Sequence, residues 1–124
     1  MDLRKTSWRE SAISWVRRST VNLPDVPPTN WHVRKPTYLA KSHTLQIIRN
    51  VPPYFSPANL SVTLDQGIAI EWKAGRKALE IEVYADGSIE VQKLFDGSIA
   101  DQPIKIPEPD WANLGNAFAW IESS

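Results

Sequence analysis

Residues 67–91 read GIAIEWKAGRKALEIEVYADGSIEV, and this stretch decides the fold. Apolar residues alternate with charged ones, which is the period-two pattern of strands that bury one face. Glycine-containing turns interrupt the alternation twice. The stretch therefore predicts three consecutive antiparallel strands with one apolar face and one charged face.

The parity of the first turn predicts the pairing of the first two strands. Placing Trp72 opposite Leu79 keeps both on the apolar face and leaves Gly75-Arg76 as a two-residue type II′ turn with glycine first. In that register Glu71 faces Glu80 directly. Like charges placed opposite each other weaken a hairpin slightly, so the register predicts a basic neighbour for this face.

The second turn has odd parity and leads to the same apolar face. Val83 opposite Ile89 leaves the loop Ala85-Asp86-Gly87, with Gly87 at the left-handed position of a G1 bulge. Both turns keep the same residues inside, and this agreement supports the register.

The flanking sequence extends the sheet at both ends. Leu60, Val62 and Leu64 alternate as a preceding strand that Asp65-Gln66-Gly67 would turn, and a second Asp-Gly-Ser-Ile at 96–99 predicts another hairpin before a short strand at 104–106. The predicted fold class is α+β, with one domain built on an antiparallel meander of four to five strands over about 60–106.

Three helices are predicted to pack on this sheet. Ser7 and Glu10 have the spacing of a capping box and predict a helix at 8–18. Residues 37–49 also suit a strand because several are β-branched, but their length favours a helix. Apolar residues at helical spacing predict the third helix, at 110–121.

The predicted domain covers residues 1–124 in three parts. Residues 1–22 form a basic amphipathic helix. Residues 23–36 contain four prolines, which exclude a helix and a central strand, and they predict an extended strap that docks through Trp31. Residues 37–124 hold the second helix, the meander and the C-terminal helix.

Composition and charge narrow the function classes. The chain has no cysteine, which excludes disulfides and cysteine metal sites and predicts a cytoplasmic protein. No apolar run approaches the roughly 20 residues of a membrane span. The net charge of zero is divided unevenly: residues 1–49 hold nine basic and three acidic residues, and residues 50–124 hold five basic and eleven acidic ones.

The sequence predicts no catalysis, metal or cofactor. Four carboxylates share the polar face of the meander: Glu71, Glu80, Glu82 and Glu90. Acid–base catalysis needs carboxylates in unlike environments, whereas a regular polar face is usually only solvated. His32 and His43 lack zinc-ligand spacing, and no nucleotide-binding or nucleophile motif is present.

Residues 52–93 resemble a type of small uncharacterised bacterial protein with a proline-rich entry followed by such a meander. The resembling stretch covers about 40 of the 124 positions. The residues that match within it are Gly67, Glu71, Trp72, Gly75, Leu79, Ile81, Asp86 and Gly87. The resemblance implies a bacterial or phage origin, a small α+β domain, and a companion gene in a toxin–antitoxin or phage-defence locus. It implies no catalytic residues.

The predicted function is a non-catalytic module that binds a protein partner, as an antitoxin, immunity or accessory protein would. The partner is one encoded nearby, or a second copy of the chain. Tryptophan and arginine are enriched in binding hot spots, and the predicted partner-binding residues are Trp8, Arg9, Trp15, Arg17, Arg18, Trp31, Glu71, Glu80 and Glu82.

Nucleic-acid binding through the basic residues 4–18 is the alternative. Cations beside tryptophans can neutralise phosphates and stack on bases. Against this, Trp8 and Trp15 lie on the stripe that should be buried. A membrane-surface role is not predicted, because the apolar stripe is short and no lipidation motif is present.

Overall fold

The computed structural model describes residues 3–19, 35–52, 55 and 57–123. Within these residues the chain forms three helices and six strands. In chain order they are α1 Leu3–Arg18, α2 Tyr38–Asn50, β1 Asn59–Val62, β2 Ile68–Ala74, β3 Lys77–Val83, β4 Ile89–Phe95, β5 Ser98–Ile99, β6 Ile104–Ile106 and α3 Trp111–Glu122.

The strands form one antiparallel sheet in the order β1-β2-β3-β4-β5, with β6 also paired to β4. β6 pairs with residues 89–91 of β4, and β5 pairs with residues 94–95. The two short strands therefore share the same edge of β4, one at each end. The α+β class is confirmed, and the sheet has one strand more than the four to five predicted.

The predicted pairing of β2 with β3 is confirmed. Trp72 pairs with Leu79 and Glu71 pairs with Glu80. Gly75 has φ +62°, as the first position of a type II′ turn requires. The turn thus brings two carboxylates side by side.

The pairing of β3 with β4 is also as predicted. Val83 pairs with Ile89, and the Tyr84 amide donates to the Ser88 carbonyl at 2.8 Å across the three-residue loop. Gly87 has φ +87°, and a Cβ at this position would lie 2.9 Å from the His43 ring. Glycine is therefore required at this turn for its conformation and for space.

The turn between β1 and β2 differs from the prediction. The Thr63 amide donates to the Gly67 carbonyl at 3.0 Å, and the Gly67 amide donates to Thr63 Oγ1 at 2.9 Å. The strand therefore ends at Val62, and Leu64 lies in the turn with 62% of its surface exposed. The prediction that the preceding strand includes Leu64 was wrong.

Helices α2 and α3 match the predictions for 37–49 and 110–121. Thr37 caps α2, because its Oγ1 accepts from the Ala40 amide at 3.1 Å. Asp110 caps α3 by accepting from the Ala112 amide at 3.0 Å. The strand alternative for 37–49 is excluded.

Helix α1 begins at Leu3, five residues before the predicted start at Trp8. Ser7 is therefore inside the helix, and the capping box predicted for Ser7 and Glu10 was wrong. Leu3, Arg4 and Lys5 are good helix formers, so the helix extends through them.

The helices lie on one face of the sheet. α2 and α3 contact the sheet, and α1 packs against α2. Trp72 packs edge to face against two rings of the core, with centroid distances of 6.3 Å to Phe55 and 5.6 Å to Phe118. Most of the predicted strap 23–36 lies outside the described residues, as does Trp31.

Candidate partner-binding surface

The outer side of the sheet, away from the helices, carries the acidic residues. Alternation along β2, β3 and β4 buries one set of residues in the core and directs the other set outward. The outward set includes Glu71, Glu80, Glu82 and Glu90, and we call these four residues the acidic face. The sequence prediction that they share one face is confirmed.

The strand register arranges the acidic face in two rows that cross the strands. One row runs through Glu71, Glu80 and Gln92, and the next row runs through Glu82 and Glu90. A groove of about 320 Å³ follows these rows from β1 to β4. Its polar lining is Asn59, Ser61, Glu71, Glu80, Glu82, Glu90 and Gln92.

Partial burial and mutual repulsion disturb the two central carboxyls. The pKa of Glu80 is raised, first by burial and then by the charge of Glu71 and a hydrogen bond with it. The pKa of Glu82 is raised by burial and then by the charges of Glu90 and Asp65. Each carboxylate is thus less stable in the folded protein than in water.

Two lysines partly compensate this charge. Lys73 Nζ lies 3.9 Å from Glu71 Oε1, and Lys105 Nζ lies 3.8 Å from Glu90 Oε2. Both lysine side chains are largely exposed, so these pairs are weak. Among the described residues, Glu80 forms no ion pair and neither does Glu82. The charge of Lys73 lowers the pKa of Glu80 only in part against burial and Glu71, so the centre of the acidic face keeps an excess of negative charge.

Tyr84 borders the acidic face. Its hydroxyl donates to Glu90 Oε1 at 3.2 Å. Burial and the charges of Glu82 and Glu90 raise the pKa of the Tyr84 hydroxyl. Tyr84 therefore stays protonated at neutral pH and acts as a hydrogen-bond donor to this side of the groove.

Arg9 and Lys41, which belong to the two N-terminal helices, form their hydrogen bonds away from the acidic face. Arg9 donates to the carbonyls of Arg49 and Val51 at the end of α2. Lys41 donates to the Arg17 carbonyl at 3.2 Å near the end of α1. These cations bind helix C-termini, where the dipole favours positive charge, in the layer on the other side of the sheet. Among the ion pairs of the described side chains, none joins a basic residue of the N-terminal half to these glutamates.

The predicted tryptophan sites have different positions. Trp8 is only 8% exposed, and its indole N–H donates to the Phe55 carbonyl at 3.0 Å. This places Trp8 in the core, so its prediction as a surface contact is corrected. Trp15 is half-buried against the same core, and Arg17 and Arg18 are exposed.

An apolar row beside the acidic face was missed by the sequence analysis. Ala78, Leu94 and Ile99 are successive cross-strand partners on the outer side of the sheet. Ile99 is 61% exposed. The parity of the predicted hairpins was the signal that could have found this row.

The described residues have no group of three or more His, Cys, Asp or Glu side chains placed to hold a metal ion. His43 uses Nδ1 to donate to the Gly87 carbonyl at 2.6 Å. His32 lies outside the described residues. Among the described helices, none combines the length and apolar character needed to cross a bilayer.

Comparison of the chain with protein-family models, curated proteins and solved structures gave no match. The resemblance to small bacterial proteins with a proline-rich entry and a meander therefore stays a prediction.

Proposed function

We propose that the chain is a non-catalytic module that binds a basic protein partner through the outer side of its sheet. The observation that carries this proposal is the charge of the acidic face, where Glu80 and Glu82 form no ion pair among the described residues and only Lys73 offsets part of the charge around Glu80. Burial and, after it, repulsion from neighbouring carboxylates raise the pKa values of these two carboxyls, and a partner that supplies lysine or arginine offsets this repulsion.

The arrangement of the carboxyls supports binding over catalysis. Acid–base enzymes separate the pKa values of two carboxyls by giving them unlike surroundings. Here the pKa values of Glu80 and Glu82 shift in the same direction for the same two reasons, burial and neighbouring carboxylates. Two carboxyls with similar pKa shifts are not differentiated into a general acid and a general base.

The proposed biological role is that of a cytoplasmic antitoxin, immunity or accessory protein whose partner is encoded nearby. Toxins that act on nucleic acids need basic surfaces to bind phosphates. An acidic sheet face is complementary to such a surface and could cover it. This role rests on charge complementarity and on the resemblance described above.

Nucleic-acid binding remains the second candidate, because Arg17 and Arg18 are exposed at the end of α1. Two of the residues on which this candidate depended in the sequence are not free to bind a nucleic acid in the described structure. Trp8 is buried, and Arg9 is engaged with the C-terminus of α2.

The experiment starts with capture of partners from an extract of the native cells on the immobilised protein. Each captured protein is then purified, and its affinity is measured against wild type and Glu80→Gln/Glu82→Gln. Loss of two charge-assisted contacts should weaken binding about 10- to 100-fold.

Two control variants make this result specific. Glu108→Gln removes an exposed carboxylate outside the acidic face and should leave the affinity unchanged. Arg17→Gln/Arg18→Gln tests the alternative, since it should matter only for a nucleic acid. Equal partner affinity for wild type and Glu80→Gln/Glu82→Gln would refute the proposal.

A further inference from the structure

Resting on the proposed function, we propose that the bound part of the partner is a basic amphipathic α-helix that lies across the strands. The acidic face has carboxylates on three neighbouring strands: Glu71 on β2, Glu80 and Glu82 on β3, and Glu90 on β4. Neighbouring strands are about 4.8 Å apart. The carboxylates therefore repeat at about this interval along the groove.

The side of a helix has a similar spacing. Residues at i, i+3 or i+4, and i+7 lie on one face, with neighbours about 5–6 Å apart. The groove extends from β1 to β4, and these three strand intervals span about 14 Å. At about 1.5 Å per residue, nine or ten helical residues cover this distance. Lysine or arginine at such positions meets one carboxylate-bearing strand after another.

Backbone hydrogen bonding also favours a helix over an extended peptide. A peptide laid flat on the face of a sheet finds no ladder of backbone partners there, because the strands already bond to each other. A helix satisfies its own backbone groups and needs only its side chains for contact. The acidic face consists of side chains alone, so it suits the helix.

The apolar row gives the helix its second contact. Ala78 is two residues from Glu80 along β3, a distance of about 7 Å. A helix with side chains is about 10–12 Å wide, so one helix that covers the row of Glu71 and Glu80 also covers Leu94 and Ile99. The partner helix is thus expected to carry basic residues on one stripe and leucine-like residues on the adjoining stripe.

The test uses three synthetic peptides of equal composition and fluorescence anisotropy. The first has lysines at i, i+4, i+7 and i+11 with leucines on the adjoining stripe. The second distributes the same residues around all sides of the helix. The third swaps a central alanine with the N-terminal proline, so that the proline lies in the middle of the peptide and breaks the helix. We expect the first peptide to bind at least about 10-fold more tightly than the other two.

Variants of the protein locate the site. Glu80→Gln/Glu82→Gln should weaken the first peptide about 10-fold or more. Ile99→Ser should weaken the first peptide several-fold and leave the second unchanged, because only the first presents its leucines together. Glu108→Gln is again the control, and circular dichroism checks that each variant is folded.

The outcomes separate this inference from the proposed function. Equal binding of all three peptides, still sensitive to Glu80→Gln/Glu82→Gln, overturns the helix and leaves a basic partner in place. If a native partner needs the acidic face for binding but the first peptide does not bind, the helix is likewise overturned and the basic partner stays in place. Self-association that Glu80→Gln/Glu82→Gln abolishes would assign the face to a second copy of the chain. If neither a peptide nor a native partner depends on the acidic face, both proposals fail.

Discussion

Replacing the two central glutamates should make the folded protein more stable at neutral pH. The variant Glu80→Gln/Glu82→Gln removes one carboxylate from each of two directly opposed pairs, Glu71 with Glu80 and Glu82 with Glu90. Like charges in such positions destabilise a hairpin by about 0.2–1 kcal/mol per pair. A glutamine amide can also donate a hydrogen bond to the opposing carboxylate.

The net gain is smaller than the sum of two pairs. Lys73 and Lys105 already offset part of the repulsion, and water screens these half-exposed groups. We therefore expect about 0.5–1 kcal/mol of added unfolding free energy, which for a domain of this length corresponds to about 2–4 °C in Tm. Raising the salt concentration should reduce the gain.

The pH dependence follows from the direction of the pKa shifts. The pKa values of Glu80 and Glu82 are raised above 4.5 in the folded protein, so the native state binds more protons than the unfolded state just above pH 4.5. As the pH rises through this window, the wild type loses stability that the variant keeps. The advantage of the variant should therefore be full at pH 7 and absent below about pH 4.

Urea unfolding at both pH values measures this effect, with Glu108→Gln as the control. Glu108 is exposed and lies between β6 and α3, outside the paired strands, so its replacement should change stability little. Loss of stability in Glu80→Gln/Glu82→Gln at pH 7, or a gain of equal size at low pH, would refute the reasoning.

Further predictions concern the turns and the first helix. Gly87→Ala should lower stability by about 1–3 kcal/mol, since it forces a side chain into a left-handed conformation and against the His43 ring. Gly97→Ala should lower stability less: Gly97 also has a positive φ, +80°, but nothing lies within 4 Å of the added Cβ. Equal losses of stability in thermal unfolding of the two variants would contradict the role of His43. Trp8→Phe should cost about 1 kcal/mol or more by removing the donor to the Phe55 carbonyl, and an unchanged urea midpoint would show that this hydrogen bond contributes nothing.

The sheet register was predictable because side-chain parity and turn geometry constrain each other. Once Trp72 and Leu79 both point inward, only an even loop fits, and Gly75 then occupies the position that needs positive φ. The turn between β1 and β2 lacked this constraint. Leu64 continued the alternation in sequence, but the hydrogen bonds between Thr63 and Gly67 end the strand two residues earlier.

The packing of α1 could not be read from its sequence. An apolar stripe shows which side of a helix is buried and not what covers it, so Trp8 suited a partner surface and the core equally well. The Ser7–Glu10 pattern likewise cannot distinguish a helix start from a helix interior. Within the candidate site the glutamates were predicted, whereas the apolar row was not, because Leu94 and Ile99 have no charge pattern to mark them.

The short outer strands of the sheet affect how the protein behaves at high concentration. β1 has four residues, β5 has two and β6 has three. Long exposed edges invite strand addition by another chain, and short ones limit it. β6 also places the charged Lys105 at its centre. At the described edges, therefore, another chain finds little backbone to extend into a shared sheet or fibril, and recognition is left to the side chains of the outer face.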